Sequence, residues 1–170
     1  TRQQLVAKIT DEALKQARSA ENADRSTLVL LGHEWHQGVL GIVASRVVEE
    51  TGKPTIVASV NDGDEIAKGS GRSRDGFDLF MALQKHRDLM TAFGGHAQAC
   101  GMSFTIDQVD ELRQALEQEA VEQGLFEAGS AKLELAAELG PDDINEDLYD
   151  QLQCLAPFGP GNPEPVFAIH

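Results

Sequence analysis

The chain has 170 residues, 41% of them hydrophobic, enough for one domain core or for one domain and a fragment. Its formal net charge of −14 excludes indiscriminate nucleic-acid binding through the whole surface. No apolar run approaches the roughly 20 residues that span a bilayer, and two cysteines, Cys100 and Cys154, make no disulfide framework.

In chain order, Leu5, Ile9, Ala13 and Ala17 recur every four residues, which predicts a helix over residues 1–20. Residues 21–26 read as a polar loop. Residues 27–31 form an apolar strand stopped by Gly32. A helical pattern over 38–50 ends at Gly52-Lys53-Pro54. The β-branched run 55–60 predicts a buried strand, residues 61–64 a hairpin turn, and residues 65–69 the returning strand. A short helix is expected over 77–83 and a strand over 102–106.

Asp107 reads as the N-cap of the next helix, with Asp110 and Glu111 in its first turn. Val109, Leu112, Leu116 and Ala120 give it an apolar stripe, and Gly124 suits its end. Residues 132–139 read as a strand and 141–155 as a last helix. Residues 157–165 are rich in turn formers, and 166–170 start a strand whose partner is expected beyond the end. Alternating strands and helices predict an α/β fold with a mixed sheet flanked by helices. No signal peptide is visible, and a reducing, cytoplasmic setting is the simplest expectation.

Four segments can carry chemistry. Gly32-His33-Glu34-Trp35-His36-Gln37-Gly38 lies between a strand and a helix, where ligands meet the ends of strands in α/β folds. Its histidines stand three apart in a loop, which does not match the helical zinc pattern. From spacing alone, a loop anchored by a buried Trp35, with histidines bonded locally, is the simpler reading. Arg46 is expected on a helix face with Val39, Ile42, Val43, Val47 and Glu50. A cation there snorkels, pairs with an acid or meets a ligand anion.

Lys68-Gly69-Ser70-Gly71-Arg72-Ser73 reads as a glycine-serine turn whose backbone admits a ligand and whose hydroxyls and guanidinium suit phosphate oxygens. Taken alone, such a segment is more often a plain turn. In residues 93–101, Gly94-Gly95 can form an anion nest, and His96 can donate to a phosphate or a leaving oxygen. The competing reading is a hinge followed by a small-residue packing helix under Ala97, Ala99 and Gly101.

Charge points to the same region. Residues 66–100 hold five basic residues against three acids, whereas residues 107–150 hold fourteen acids and two basic residues. Acid excess of that kind usually serves solubility. No Asp/His cluster has the spacing of a two-metal phosphodiesterase. The residues alone describe an anion-recognising α/β domain without a hydrolytic centre.

Taken together, GHEWHQGVLGIVASR (32–46), GSGRS (69–73) and GGHAQACG (94–101) resemble the signature segments of the DHH-associated domain of RecJ nucleases. Residues 155–165, LAPFGPGNPEP, resemble the segment leading into that family's oligonucleotide-binding barrel. GGH alone is similar to a broader superfamily that includes small phosphodiesterases and alanyl-tRNA editing domains. The first and last segments narrow the resemblance to RecJ.

The resemblance implies a 5′→3′ exonuclease on single-stranded DNA, acting in repair and recombination with Mn²⁺ or Mg²⁺ held by a separate N-terminal DHH domain. It implies no metal on this chain. Its substrate-binding roles fall on His36, Arg46, Ser70, Gly71, Arg72, Ser73, Gly94, Gly95 and His96, with His96 a possible transition-state donor. Cys100 stands where alanine is usual, a tolerable exchange.

The organisation implied is a linker-helix tail over 1–26, a substrate-binding domain over 27–128, and the truncated start of an oligonucleotide-binding module over 129–170. Expected partners are single-stranded DNA, the DHH domain and a single-strand-binding protein, with no membrane. Two alternatives stand beside it: a DHH-type phosphodiesterase for short oligonucleotides or cyclic dinucleotides, and a non-catalytic scaffold.

Overall fold

A computed structural model describes residues 1–125, 136–159, 162 and 164–169. The chain forms two compact units, Thr1–Ala128 and Gly129–His170.

The first unit is built on a five-stranded sheet. Its strands are β1 (Leu28–His33), β2 (Thr55–Val60), β3 (Ile66–Arg72), β4 (Ala92–His96) and β5 (Ala99–Thr105). Their order is β1-β2-β3-β5-β4. β1 and β2 are parallel; every other pairing is antiparallel. The expected mixed α/β sheet is thus present. All six residues of β2 are buried, as its continuous β-branched run requires.

Helices cover the two faces unequally. On one face α1 (Arg2–Ala17) and α3 (Leu40–Thr51) pack on Leu28, Leu30 and Val57. Ile9, Ala13 and Ala17 of the four-residue repeat are buried there. Gly52 ends α3 with φ 67°, a conformation glycine takes without strain. On the other face α4 (Leu79–Lys85) and α5 (Val109–Glu122) pack on Ile56, Ala58, Ala67, Met102 and Phe104. The stripe Val109, Leu112, Leu116 and Ala120 is fully engaged. Each large side chain buried in this way, such as Ile56 or Leu112, stabilises the unit by about 1.5–3 kcal/mol.

Side chains alternate across a sheet, and directly paired residues share a face. Ala99, Gly101 and Ser103 of β5, with Ala92, Gly94 and His96 of β4, therefore lie on the α1/α3 face. Gly94, Gly101 and His96 are exposed, and a Cβ added at Gly94 or Gly101 meets nothing within 4 Å. Helices cover that face over β1 and β2 and, through α3, over β3 at Ser70 and Arg72, and leave it bare over β5 and β4.

Several expectations need correction. Residues 21–26 are not all loop: α2 (Ala20–Ala23) buries Asn22, whose Nδ2 donates to the Gln16 carbonyl at 2.9 Å. Ser70 to Arg72 continue the returning strand and are not a turn. Residues 94–101 form the β4–β5 hairpin, not a hinge and helix. Asp107 sits inside a 3₁₀ turn, Ile106–Gln108, that precedes α5.

In the second unit, α6 (Glu146–Gln153) is shorter than residues 141–155, because Pro141–Asp143 is a separate 3₁₀ turn and Asn145 caps the helix on the Leu148 amide. β7 (Phe167–Ile169) finds its partner within the chain, pairing parallel with β6 (Ala137–Leu139). Of the strand expected over 132–139, residues 132–135 lie outside the described residues. Asn162 Nδ2 donates to the carbonyls of Leu155 at 2.8 Å and Pro157 at 3.0 Å.

Candidate nucleic-acid interface

The glycines of β3 have a packing origin. A Cβ on Gly71 would lie 2.7 Å from Leu79 Cδ2, and one on Gly69 would lie 3.2 Å from Ala58 Cβ. Both point into the core under α4, so the strand must be bare there. Alternation then places Ser70 and Arg72 on the opposite, partly open face.

Arg72 is half-buried, and its Nη1 donates to Ser70 Oγ at 3.1 Å and to the Gly71 carbonyl at 2.8 Å. Gly41 of α3 lies against the pair: a Cβ there would fall 2.6 Å from Arg72 Nη2 and 3.1 Å from Ser70 Oγ. The guanidinium is thus held by its own strand and by the helix above. Nη2 and Nε have no hydrogen-bond acceptor among the described residues, so this fork keeps donors for an anion.

The β4–β5 hairpin supplies the second half. Gly95 has φ 149°, and a Cβ there would lie 2.3 Å from the Ala99 carbonyl oxygen. Only glycine permits that approach. His96 is exposed at the end of β4, and its Nδ1 accepts from the Gln98 amide at 3.4 Å. In the neutral ring that bond places the proton on Nε2, a donor.

The hairpin tip is clamped. Ser73 N donates to the Gln98 carbonyl and Leu79 N to the Ala97 carbonyl, both at 3.0 Å. Ser73 Oγ donates to the Phe77 carbonyl at 2.7 Å, so this hydroxyl holds the turn.

The register joins the halves. Arg72 pairs with Ala99, and Ala99 pairs with His96 on its other side. Arg72 and His96 therefore stand in one transverse row on one face, two strand spacings or about 10 Å apart. Cys100 faces the opposite way and is buried. Its thiol donates to the His96 carbonyl at 3.3 Å, and burial pushes its pKa above the ordinary thiol value.

The first segment is mostly structural. A Cβ on Gly32 would lie 2.1 Å from the Trp35 ring, and Trp35 Nε1 donates to Glu12 Oε2 at 2.7 Å. Glu34 has φ 56°, and its Oε1 accepts from the Asp62 amide at 2.8 Å. His36 caps the turn Gln37–Val39, its Nδ1 accepting from the Gly38 amide at 3.1 Å. The described contacts do not bring it to Arg72 or His96.

Arg46 is not on the apolar face of α3. That face is Leu40, Val43, Ala44 and Val47, while Ile42 and Arg46 are exposed. Arg46 has no hydrogen-bond or ion-pair partner among the described residues, so pairing with an acid drops out of its three readings.

Gly41 was not singled out by sequence reasoning, although a glycine inside a helical pattern is a signal for close approach. The pair Asp78–Gln123 was also missed. Gln123 Oε1 accepts from Asp78 N at 2.7 Å and its Nε2 donates to the Asp78 carbonyl at 3.1 Å, bracing the turn under the hairpin tip. It carried no local signal.

Among the described residues, no group of three or more His, Cys, Asp or Glu side chains is placed to hold a metal ion. Nor is any helix among them long and apolar enough to cross a membrane.

An α/β unit with an open, cation-bearing sheet face and a glycine-histidine hairpin defines a class, and comparison with known proteins assigns it. Residues 24–122 match the DHHA1 domain and residues 135–170 the RecJ OB domain. The chain belongs to the DHHA1 family, and within it to the RecJ branch.

It is 37% identical over 164 residues to the single-stranded-DNA-specific exonuclease RecJ of Bacillus subtilis (strain 168), covering 96% of this chain and 21% of that protein. It is 32% identical over 180 residues to the RecJ of Escherichia coli (strain K12), covering 100% of this chain and 30% of that protein. The crystal structure of Thermus thermophilus RecJ in complex with Mn²⁺ superposes with a TM-score of 0.79 at 31% identity, over 99% of this chain and 24% of that one. The chain thus spans less than a third of the relatives' length.

Proposed function

We propose that this chain is the substrate-binding part of a 5′→3′ single-stranded-DNA exonuclease. It clamps phosphates of the strand near the scissile end. The observation that carries the reading is the Arg72–Ala99–His96 row, which starts at the edge of α3 and runs onto the part of the sheet face that the unit leaves uncovered. Arg72 offers a fork fixed by Ser70 and the Gly71 carbonyl; His96 offers Nε2–H. Fixed donors of this kind stabilise charge that develops on a phosphoryl group. Gly94 leaves the backbone open to a strand, while Gly71, Gly95 and Ser73 build the framework. Arg46 and His36 lie outside the row as more distant contacts to the same polyanion.

Relatives of the chain are single-stranded-DNA-specific exonucleases, and solved relatives are complexes with Mn²⁺ or Mg²⁺, which supports a metal-assisted hydrolysis in the longer protein. A divalent metal bound in that part of the protein would supply an activated water for attack on phosphorus. The residues described in this chain do not form such a centre, so hydrolysis is assigned to an N-terminal DHH domain of the same protein. Single-stranded DNA, that domain and a single-strand-binding protein are its proposed partners, in a cytoplasmic setting and in the service of DNA repair and recombination.

The test uses the 170-residue chain with a 5′-labelled oligonucleotide and Mn²⁺. Weak binding that fades with added salt, without shortening of the label, is expected from a −14 chain with a local cationic face. Clear digestion by the pure chain contradicts the division of labour.

A further inference from the structure

β3 carries a second cation on the same face. Strand alternation places Ile66, Lys68, Ser70 and Arg72 together. Lys68 pairs with Ser59 of β2 on one side and with Ser103 of β5 on the other; Ser103 in turn pairs with Ala92 of β4. Lys68 is exposed.

Its electrostatic situation is unusual for this chain. Lys8 lies near Glu12, Lys15 pairs with Asp11, Lys85 with Glu119 and Glu122, and Lys53 donates to the carbonyls of Asn22 and Ala23. Among the described residues Lys68 alone of the lysines has no such partner. An unneutralised ammonium in a protein of net charge −14 is a specific attraction for a polyanion.

The geometry fixes what kind of polyanion. Lys68 and Arg72 are four residue steps apart along the strand, a backbone span of about 13 Å. α3 covers Ser70 between them through Gly41, but on the β5–β4 side the sheet presents only Ala99, Gly101 and Ser103, then Ala92 and Gly94, so an extended chain lies open along that side. Ile66, 45% exposed, continues the face beyond Lys68 and gives a base an apolar surface. Arg72 is held rigidly and suits one defined phosphate; Lys68, a flexible point charge, suits a phosphate of variable position. The span exceeds one phosphodiester step, so a dinucleotide seated at Arg72 and His96 does not reach Lys68.

We propose that Lys68 is a second phosphate contact that makes this face select extended single strands over dinucleotide-sized phosphodiesters. The proposal rests on the reading of Arg72 and His96 given above.

The experiment is an NMR titration of the ¹⁵N-labelled chain with 5′-phosphorylated oligothymidylates of two and of eight residues. The octamer is expected to shift the amides of Lys68 and Ser103 together with those of Arg72, Ala99 and His96. The dinucleotide is expected to shift only the latter group. Lys68→Gln should lower the octamer-to-dinucleotide affinity ratio about fivefold and flatten the octamer's log K against log salt slope by about 0.7. Lys68→Arg should restore both. An unaltered ratio and slope in Lys68→Gln, with Arg72→Gln still weakening both ligands, overturns the role of Lys68 alone. If Arg72→Gln leaves both affinities as they were, the reading of the site itself fails, and the Lys68 contact with it.

Discussion

Gly41 and Arg72 occupy one space: a Cβ on the helix glycine would stand 2.6 Å from the guanidinium Nη2. Gly41 is the second residue of α3, where glycine disfavours the helix by less than the roughly 1 kcal/mol it costs in a helix interior. Gly41→Ala therefore sets two effects against each other. Helix propensity improves, while Arg72 must leave Ser70 or α3 must lift. The thermal midpoint is expected to move little, while affinity for single-stranded DNA falls. A variant that melts as expected and binds with full affinity contradicts the idea that Gly41 positions Arg72.

The electrostatic tie between α4 and α5 gives a pH prediction. Lys85 Nζ lies 2.8 Å from both Glu119 Oε2 and Glu122 Oε2. Hydrogen bonds to Glu119 and Glu122 raise the Lys85 pKa, and the bond from Lys85 lowers that of Glu122. The raised lysine adds stability that is full below its unfolded value of about 10.4 and is lost as pH rises through the folded one. The lowered carboxylate adds stability that is present above its unfolded value of about 4.3 and is lost as pH falls through the folded one. Urea unfolding should therefore show the difference between the chain and Lys85→Met at its widest between about pH 5 and 10, narrowing on both sides. A constant difference from about pH 3 to about pH 11 contradicts this, on the same ordinary side-chain values of about 4.3 and 10.4.

The two cysteines should separate by reactivity. Cys100 is buried with its pKa pushed up, whereas Cys154 is exposed. Thiolate is the reactive form, so a thiol reagent at neutral pH should modify Cys154 quickly and Cys100 only on unfolding. Cys100→Ala should leave folding intact, since the thiol gives only a 3.3 Å bond to the His96 carbonyl. Rapid modification of both thiols in the folded chain contradicts the burial of Cys100.

Local pattern made the framework legible. The β-branched run of β2, the stripe of α5 and the glycine end of α3 each carry a strong period or stop signal. The candidate segments were legible as segments, but their geometry was not. Gly71 looked like a turn residue because glycine breaks strands; the contact that demands it comes from Leu79, eight residues later. The hairpin at 94–101 hid behind Ala97, Ala99 and Gly101, whose small side chains suit a packing helix. The alternation of Cys100, Met102 and Phe104 was the better guide, since all three are core residues of one sheet face. The alignment of Arg72 with His96 is a matter of register across three strands and has no local signature.

The central claim is that Arg72 and His96 act on the strand being cut. Arg72→Ala and His96→Ala should be made in the longer protein that carries this chain, with kcat and KM measured on 5′-labelled single-stranded DNA. Each variant is expected to fold normally and to lose about a hundredfold or more in kcat/KM, the scale of removing a fixed donor to developing charge. Turnover within about threefold of the unsubstituted protein for both variants, far short of that scale, would contradict the assignment.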